Sequence, residues 1–152
     1  MRYATTIESA AGLSAGAPIV AITPGAAGTK FYLRKMMVSG YGTTTSQQAA
    51  VALSRGSTSS QTADQYPVPL DGNMSNRAPA SAWYAWSSPP TQSLPVMYEE
   101  GFDTLGKGVR WEWDEREFSL PYGNSGSDCL LLVSLVAVPA AFIYTVSVEI
   151  DQ

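Results

Sequence analysis

Apolar positions recur along this chain with a period of two and nowhere convincingly with a period of 3.6, so strands are the elements that the sequence predicts. The cleanest alternation closes the chain, where Phe142, Tyr144, Val146, Val148 and Ile150 interleave with Ile143, Thr145, Ser147 and Glu149. Val109, Trp111 and Trp113 alternate with Arg110, Glu112 and Asp114, the pattern of a half-buried strand with a charged outer face. Residues 128–138 are apolar on both faces and read as a central strand. Residues 30–41 alternate imperfectly, Tyr32, Arg34, Met36 and Val38 against Phe31, Leu33, Lys35 and Met37, so either both faces are partly covered or a bulge intervenes. Shorter strands are expected over Pro18–Thr23, over 49–55, over 83–87 ahead of Pro89-Pro90, and over 94–99, where Pro95 restricts the strand to an end or an edge. Residues 56–82, rich in Ser, Thr, Asn, Gly and Pro, predict a crossing loop ordered in part through 66–70. Phe118 and Leu120 continue the pattern, and 122–126 reads as a loop. About eight strands with frequent Gly/Pro turns predict an all-β fold of two antiparallel sheets packed as a sandwich.

Residues 1–17 break this rhythm. They are small and polar, with only Tyr3, Ile7 and Leu13 as scattered apolar groups. A segment that buries so little is expected to be an extended N-terminal arm, mobile or held by a neighbour, ahead of a single sandwich domain over 18–152.

Composition narrows the chemistry. Among 152 residues there is no histidine, which removes the Ser-His-Asp triad, the Cys-His pair and every imidazole metal ligand. The single Cys129 makes no intrachain disulfide and, on its apolar strand, reads as a buried, inert thiol. Charged residues are 14% of the chain, against about 25% in ordinary soluble domains, and the formal net charge is -4. No basic footprint for nucleic acid or an anionic bilayer is present, and no direct nucleic-acid partner is expected. The N-terminus lacks the apolar stretch of a secretory signal, so the chain is expected to fold in the cytoplasm that makes it. The longest apolar run, broken by Ser134 and stopped by Pro139, is far short of the ~20 residues of a membrane span.

Several motifs invite a chemical reading. The run from Gly101 to Gly108 nearly spells a phosphate-binding loop, but Gly108 replaces the magnesium-binding hydroxyl and a strand follows where a helix is required, so a glycine-rich turn is expected. Glu99, Glu100, Asp103, Glu112, Asp114, Glu115 and Glu117 crowd one third of the chain, and paired carboxylates are the machinery of glycosidases. The plainer reading is a solvated strand face and a locally ion-paired corner, and no enzyme activity and no cofactor are expected. Asn73-Met74-Ser75 matches a glycosylation acceptor, a pattern frequent by chance. Trp111 and Trp113 share a face and read as core, whereas Trp83 and Trp86 fall on opposite faces, so one of them points outward to a sugar ring or a protein partner.

With these residues in view, the chain resembles the small jelly-roll decoration, or cement, proteins of tailed-phage capsids. The likeness runs from Phe31 to Ile150. It covers the opening strand Phe31-Tyr32-Leu33-Arg34, the crossing loop Val68-Pro69-Leu70-Asp71-Gly72-Asn73 and the aromatic strand from Trp83 to Thr91. It continues through Val109-Arg110-Trp111-Glu112-Trp113 and the closing pair of strands joined by Pro139-Ala140-Ala141. The resemblance implies an eight-stranded antiparallel jelly-roll sandwich that forms a homotrimer on the outer surface of a virion shell. Its partners would be copies of itself and the major capsid protein, and neither a membrane nor nucleic acid. No catalytic, cofactor or metal residue belongs to such proteins, and the interface candidates are Tyr3, Ile7, Leu13, Trp83 and Trp86. The alternative is a receptor- or glycan-binding module of a phage fibre, using the strand of Trp83 and Trp86.

Overall fold

The computed structural model describes residues 1–25, 29–58, 60–65, 68–70, 78, 80–114 and 128–152. In chain order its strands are β1 (Arg2–Ala11), β2 (Pro18–Thr23), β3 (Tyr32–Tyr41), β4 (Gln48–Ser57), β5 (Gln61–Gln65), β6 (Val68–Pro69), β7 (Ser81–Trp86), β8 (Thr91–Asp103), β9 (Val109–Glu112), β10 (Asp128–Ser134) and β11 (Ile143–Asp151). All pairings are antiparallel. One sheet runs β6-β1-β11-β3-β9 and the other β5-β7-β2-β10-β4-β8, and neither closes into a barrel. The all-β, two-sheet expectation is therefore met, with β1, β5 and β6 in addition to the eight expected strands.

The core lies between the sheets and follows from alternation. From the five-stranded sheet come Tyr3, Ile7, Leu33, Met36, Val38, Tyr144, Val146, Val148 and Ile150, and from the six-stranded sheet Ile19, Ile22, Val51, Leu53, Leu130 and Leu132. β10 is buried on both faces, as its unbroken apolar run predicts: Leu130 and Leu132 join the core while Cys129, Leu131 and Val133 face the other way. The polar Ser134 at its end is buried as well, and its hydroxyl is satisfied by the Tyr144 hydroxyl at 2.8 Å and by the carbonyl of Val136.

The expected arm is corrected. Residues 2–11 form β1, which pairs with β11 from Arg2 opposite Asp151 to Glu8 opposite Thr145, and with β6 on its other side. Tyr3 and Ile7 are 9% and 4% exposed and belong to the core. The physical reason is non-local: β11 has a strongly alternating inner face and an open hydrogen-bonding edge, and a small-residue segment fits it without needing many apolar groups of its own. Leu13, past the end of β1, is partly buried against the same core.

The irregular alternation of 30–41 is a bulge. The β3–β11 register shifts between Glu149 opposite Lys35 and Ile150 opposite Leu33, leaving Arg34 as the extra residue. Pro95 lies on β8, an edge strand, within a register shift where Leu53 faces Tyr98 but Arg55 faces Ser93. The glycine-rich segment after β8 is a turn: Asp103 accepts from the Leu105 amide at 2.8 Å and Gly108 takes φ 80°. Phe118, Leu120, the loop at 122–126, Glu115, Glu117 and the Asn73 motif lie outside the described residues.

Candidate interaction face

The bulge at Arg34 sets the parity of β3, so that Lys35, Met37, Ser39 and Tyr41 share one side while Met36 and Val38 enter the core. That side is the outer face of the five-stranded sheet. Register places Thr6, Ser147, Met37 and Arg110 in one row across β1, β11, β3 and β9, and Ala4, Glu149, Lys35 and Glu112 in the next. Met37 and Tyr41, 37% and 51% exposed, are the large apolar side chains that this face leaves open among the described residues. Between them the face is lined by small hydroxyl residues, with Thr6 and Ser147 bonded to each other at 2.9 Å.

Four of the cations on this face have a carboxylate partner. Lys35 Nζ reaches Glu149 at 3.4 Å, Arg2 and Arg34 flank Asp151 at 3.7 and 3.3 Å, and Arg110 pairs with Glu112. The Arg110 guanidinium, by hydrogen bonding, holds the Glu112 carboxyl below its ordinary value. Tyr41 donates to Glu8 Oε1 at 3.0 Å, and that bond to an anion raises the phenol above its usual range. Two hollows open here: one of about 460 Å³ beside Met37, Ser39, Ser147, Lys107 and Arg110, the other of about 320 Å³ at the end near Arg2 and Arg34.

The outer face of the six-stranded sheet is different in kind. Ala21, Ala52, Cys129, Leu131 and Val133 are buried there, with Trp83, Trp86, Val96 and Leu135 packed against them. Trp83 donates its indole proton to Thr23 Oγ1 at 3.1 Å, and the indole nitrogen of Trp86 is buried without a partner among the described residues. The expectation that these two tryptophans fall on opposite faces is corrected: both lie on this outer side, partly buried against one cluster, and Tyr84 is the exposed ring of their strand. The structure thus brings Trp83 and Trp86 together, sends Tyr3 and Ile7 to the core, and sets Leu13 apart from the tryptophans beside that core. Sequence reasoning missed Met37 and Tyr41; the signal was their shared parity with Lys35 after a bulge.

The acidic third of the chain is distributed over several tasks. Glu100 accepts from the Trp111 indole at 3.0 Å, and Trp113 is buried with Tyr98 edge-on to it. Asp103 accepts from Ser46 Oγ and from the Leu105 amide, and these bonds hold its carboxyl below the usual range. A lowered pKa at Asp103 and Glu112 is opposite in sign to what a glycosidase general acid requires. Burial pushes the Cys129 thiol up to about 12. No family model, no curated protein and no solved structure matches the chain.

Proposed function

We propose that this chain is a virion structural protein, a capsid decoration protein that binds the outer surface of a shell as a homotrimer and clips capsomer junctions. The observation that carries the reading is strand order. Eight of the strands run β1-β11-β3-β9 in one sheet and β2-β10-β4-β8 in the other, with β5, β6 and β7 inserted between β4 and β8, and this order supports reading the two sheets as a jelly roll. Jelly rolls serve as capsid and lectin domains, which favours an assembly or recognition role.

The outer face of the five-stranded sheet supports the same reading. Four of its cations are paired, its hydroxyls are small, and its exposed apolar groups are Met37 and Tyr41, the residue types enriched in protein interfaces. A contact of about 800 Å² per protomer, repeated three times on a symmetric lattice, gains strength from avidity rather than from size. Binding across a seam adds free energy that must be lost before the seam opens.

Size-exclusion chromatography with light scattering tests the trimer, which has three times the 16.2 kDa of one chain. Co-sedimentation with the particles formed in the same host tests the attachment, and Met37→Glu, on an exposed position, is expected to abolish it while the fold survives. A monomer that leaves every particle in the supernatant overturns the proposal. The second reading, a glycan-binding module of a fibre, rests on the exposed Tyr84 beside Trp83 and Trp86 on β7. Saturable binding on a glycan array, lost in Tyr84→Ala, would favour it.

A further inference from the structure

Lys107 and Glu8 stand on the outer face of the five-stranded sheet, outside its four ion pairs. Lys107, exposed in the turn into β9, has no ion pair among the described residues, and Glu8 is met by the Tyr41 hydroxyl but by no cation among them. The two charges lie at opposite edges. Glu8 faces Thr145, Thr145 faces Ser39, and the neighbouring Val38 faces Val109, so one row runs from Glu8 across β11 and β3 to the Gly108 end of β9. Three strand spacings put their backbones about 14 Å apart.

The adjoining rows carry the same antisymmetry about a line that runs along the strands midway between β11 and β3. Glu149 on β11 is the counterpart of Lys35 on β3, and Ser147 is the counterpart of Met37. Thr6 on β1 is likewise the counterpart of Arg110 on β9, and Ala4 of Glu112. A half-turn about that line therefore lays cations on anions or hydroxyls, and large side chains on small ones. That is the self-complementarity an isologous contact requires.

We propose that this face pairs with the same face of a second copy, about a two-fold axis close to that line. Glu8 of each copy then meets Lys107 of the other. Tyr41, which holds Glu8 at 3.0 Å, follows it over the hollow of about 460 Å³ beside Lys107 and Ser39, and Met37 settles on Ser147. Lys35 and Glu149, joined within each chain at 3.4 Å, alternate with their counterparts as four charges of alternating sign. Twisted sheets packed face to face lie about 10 Å apart and cross at about 30°, a gap that side chains of these lengths fill. Four strands over the nine residues of β11 present roughly 600 Å² per copy, at the lower end of specific interfaces, so the pair is reversible. Pairing goes beyond the shell-binding reading and does not depend on it: the unit that doubles is one chain or one trimer, and on a shell the same face would be exchanged for the capsid.

Analytical ultracentrifugation of the full chain over about 1–300 μM tests the pair, with a doubling of mass expected at a Kd of about 10–100 μM. Glu8→Lys and Lys107→Glu each set like charges against one another and should weaken self-pairing at least about fivefold. Mixed in equal amounts, the two variants place opposite charges at both contacts, and the mixed pair should form about as tightly as the wild type. Since the two residues stand at opposite edges of one chain, such recovery reports a contact between copies. If Glu8→Lys does not fold, Met37→Glu at the centre of the face decides, and it should remove the doubling. The mass of the undoubled unit, one chain or three, reports on the trimer separately. A mass constant over the whole range, a doubling that the charge reversals leave unchanged, or a mixture that pairs no better than the single variants overturns the proposal.

Discussion

Replacing Ile7 by alanine tests whether β1 is a structural strand or a detachable arm. Ile7 is 4% exposed, faces Val146 across the β1–β11 ladder and packs in the core between the sheets. Ile7→Ala removes three carbon groups at about 0.8 kcal/mol each, and a partly relaxed cavity brings the expected loss to about 3 kcal/mol. With a urea dependence of about 2 kcal/mol per molar, the unfolding midpoint drops by about 1.5 M. Thr6→Ala is the matched control: its neighbour on the same strand points outward and gives up one exposed hydroxyl bond of 2.9 Å to Ser147. That change costs about 0.5 kcal/mol, or a midpoint shift of about 0.25 M. Equilibrium urea unfolding followed by tryptophan fluorescence measures both. If Ile7→Ala shifts the midpoint no more than Thr6→Ala does, β1 is not docked in solution, and the account of the N-terminal strand given above is wrong.

Two further perturbations probe the turn into β9 and the buried thiol. Gly108 has φ 80°, and a Cβ there would lie 2.0 Å from the backbone oxygen of Val38, whereas Gly16 has φ 79° with nothing within 4 Å. Gly16→Ala is expected to cost about 1 kcal/mol from backbone strain alone and Gly108→Ala distinctly more, lowering Tm by over about 4 °C; equal losses in calorimetry would refute the close-approach argument. Cys129, raised from 9.0 to about 12, leaves stability untouched below pH 9. Between pH 9 and about 12 the unfolded chain loses its thiol proton before the folded one does, so stability falls by ~1.4 kcal/mol per pH unit; Cys129→Ala should flatten that alkaline limb.

The parts of the fold legible in the sequence are those whose cause is local. Val146, Val148 and Ile150 alternate with polar neighbours because one face of β11 is dry and the other wet, and a window of nine residues records it. The run through β10 reads as central because both its faces are covered. β1 was not legible because its two core residues are four apart, with Thr5 at the inner position between them, and its conformation is imposed by a partner at the far end of the chain. β5 is Gln-Thr-Ala-Asp-Gln, without a large apolar residue, and is a strand through its ladder with β7. The candidate face was hidden for a related reason. Aromatic residues drew attention to Trp83 and Trp86, which the chain packs against its own second cluster, whereas Met37 and Tyr41 are turned outward by a bulge whose existence the sequence suggested but whose position it did not specify.

The ion pairs on the five-stranded sheet bear on what that face is for. In a chain with only 14% charged residues, four ion pairs lie on this one surface. Exposed pairs contribute about 0–1 kcal/mol each, so their placement is poorly explained as a device for stability. Its consequence is electrical: a surface on which Arg2, Arg34, Lys35 and Arg110 each have a carboxylate at hand has little net field, and it resists neither a copy of itself nor a neutral partner. The opposite sheet needs no such arrangement, because Ala21, Ala52, Leu131 and Val133 are already covered there. The two outer faces thus divide the work that a sandwich leaves undone: one completes the chain's own packing and the other is left polar and nearly neutral. Arg34 is the exception on that face, its Nε and Nη1 buried without a hydrogen-bond partner among the described residues.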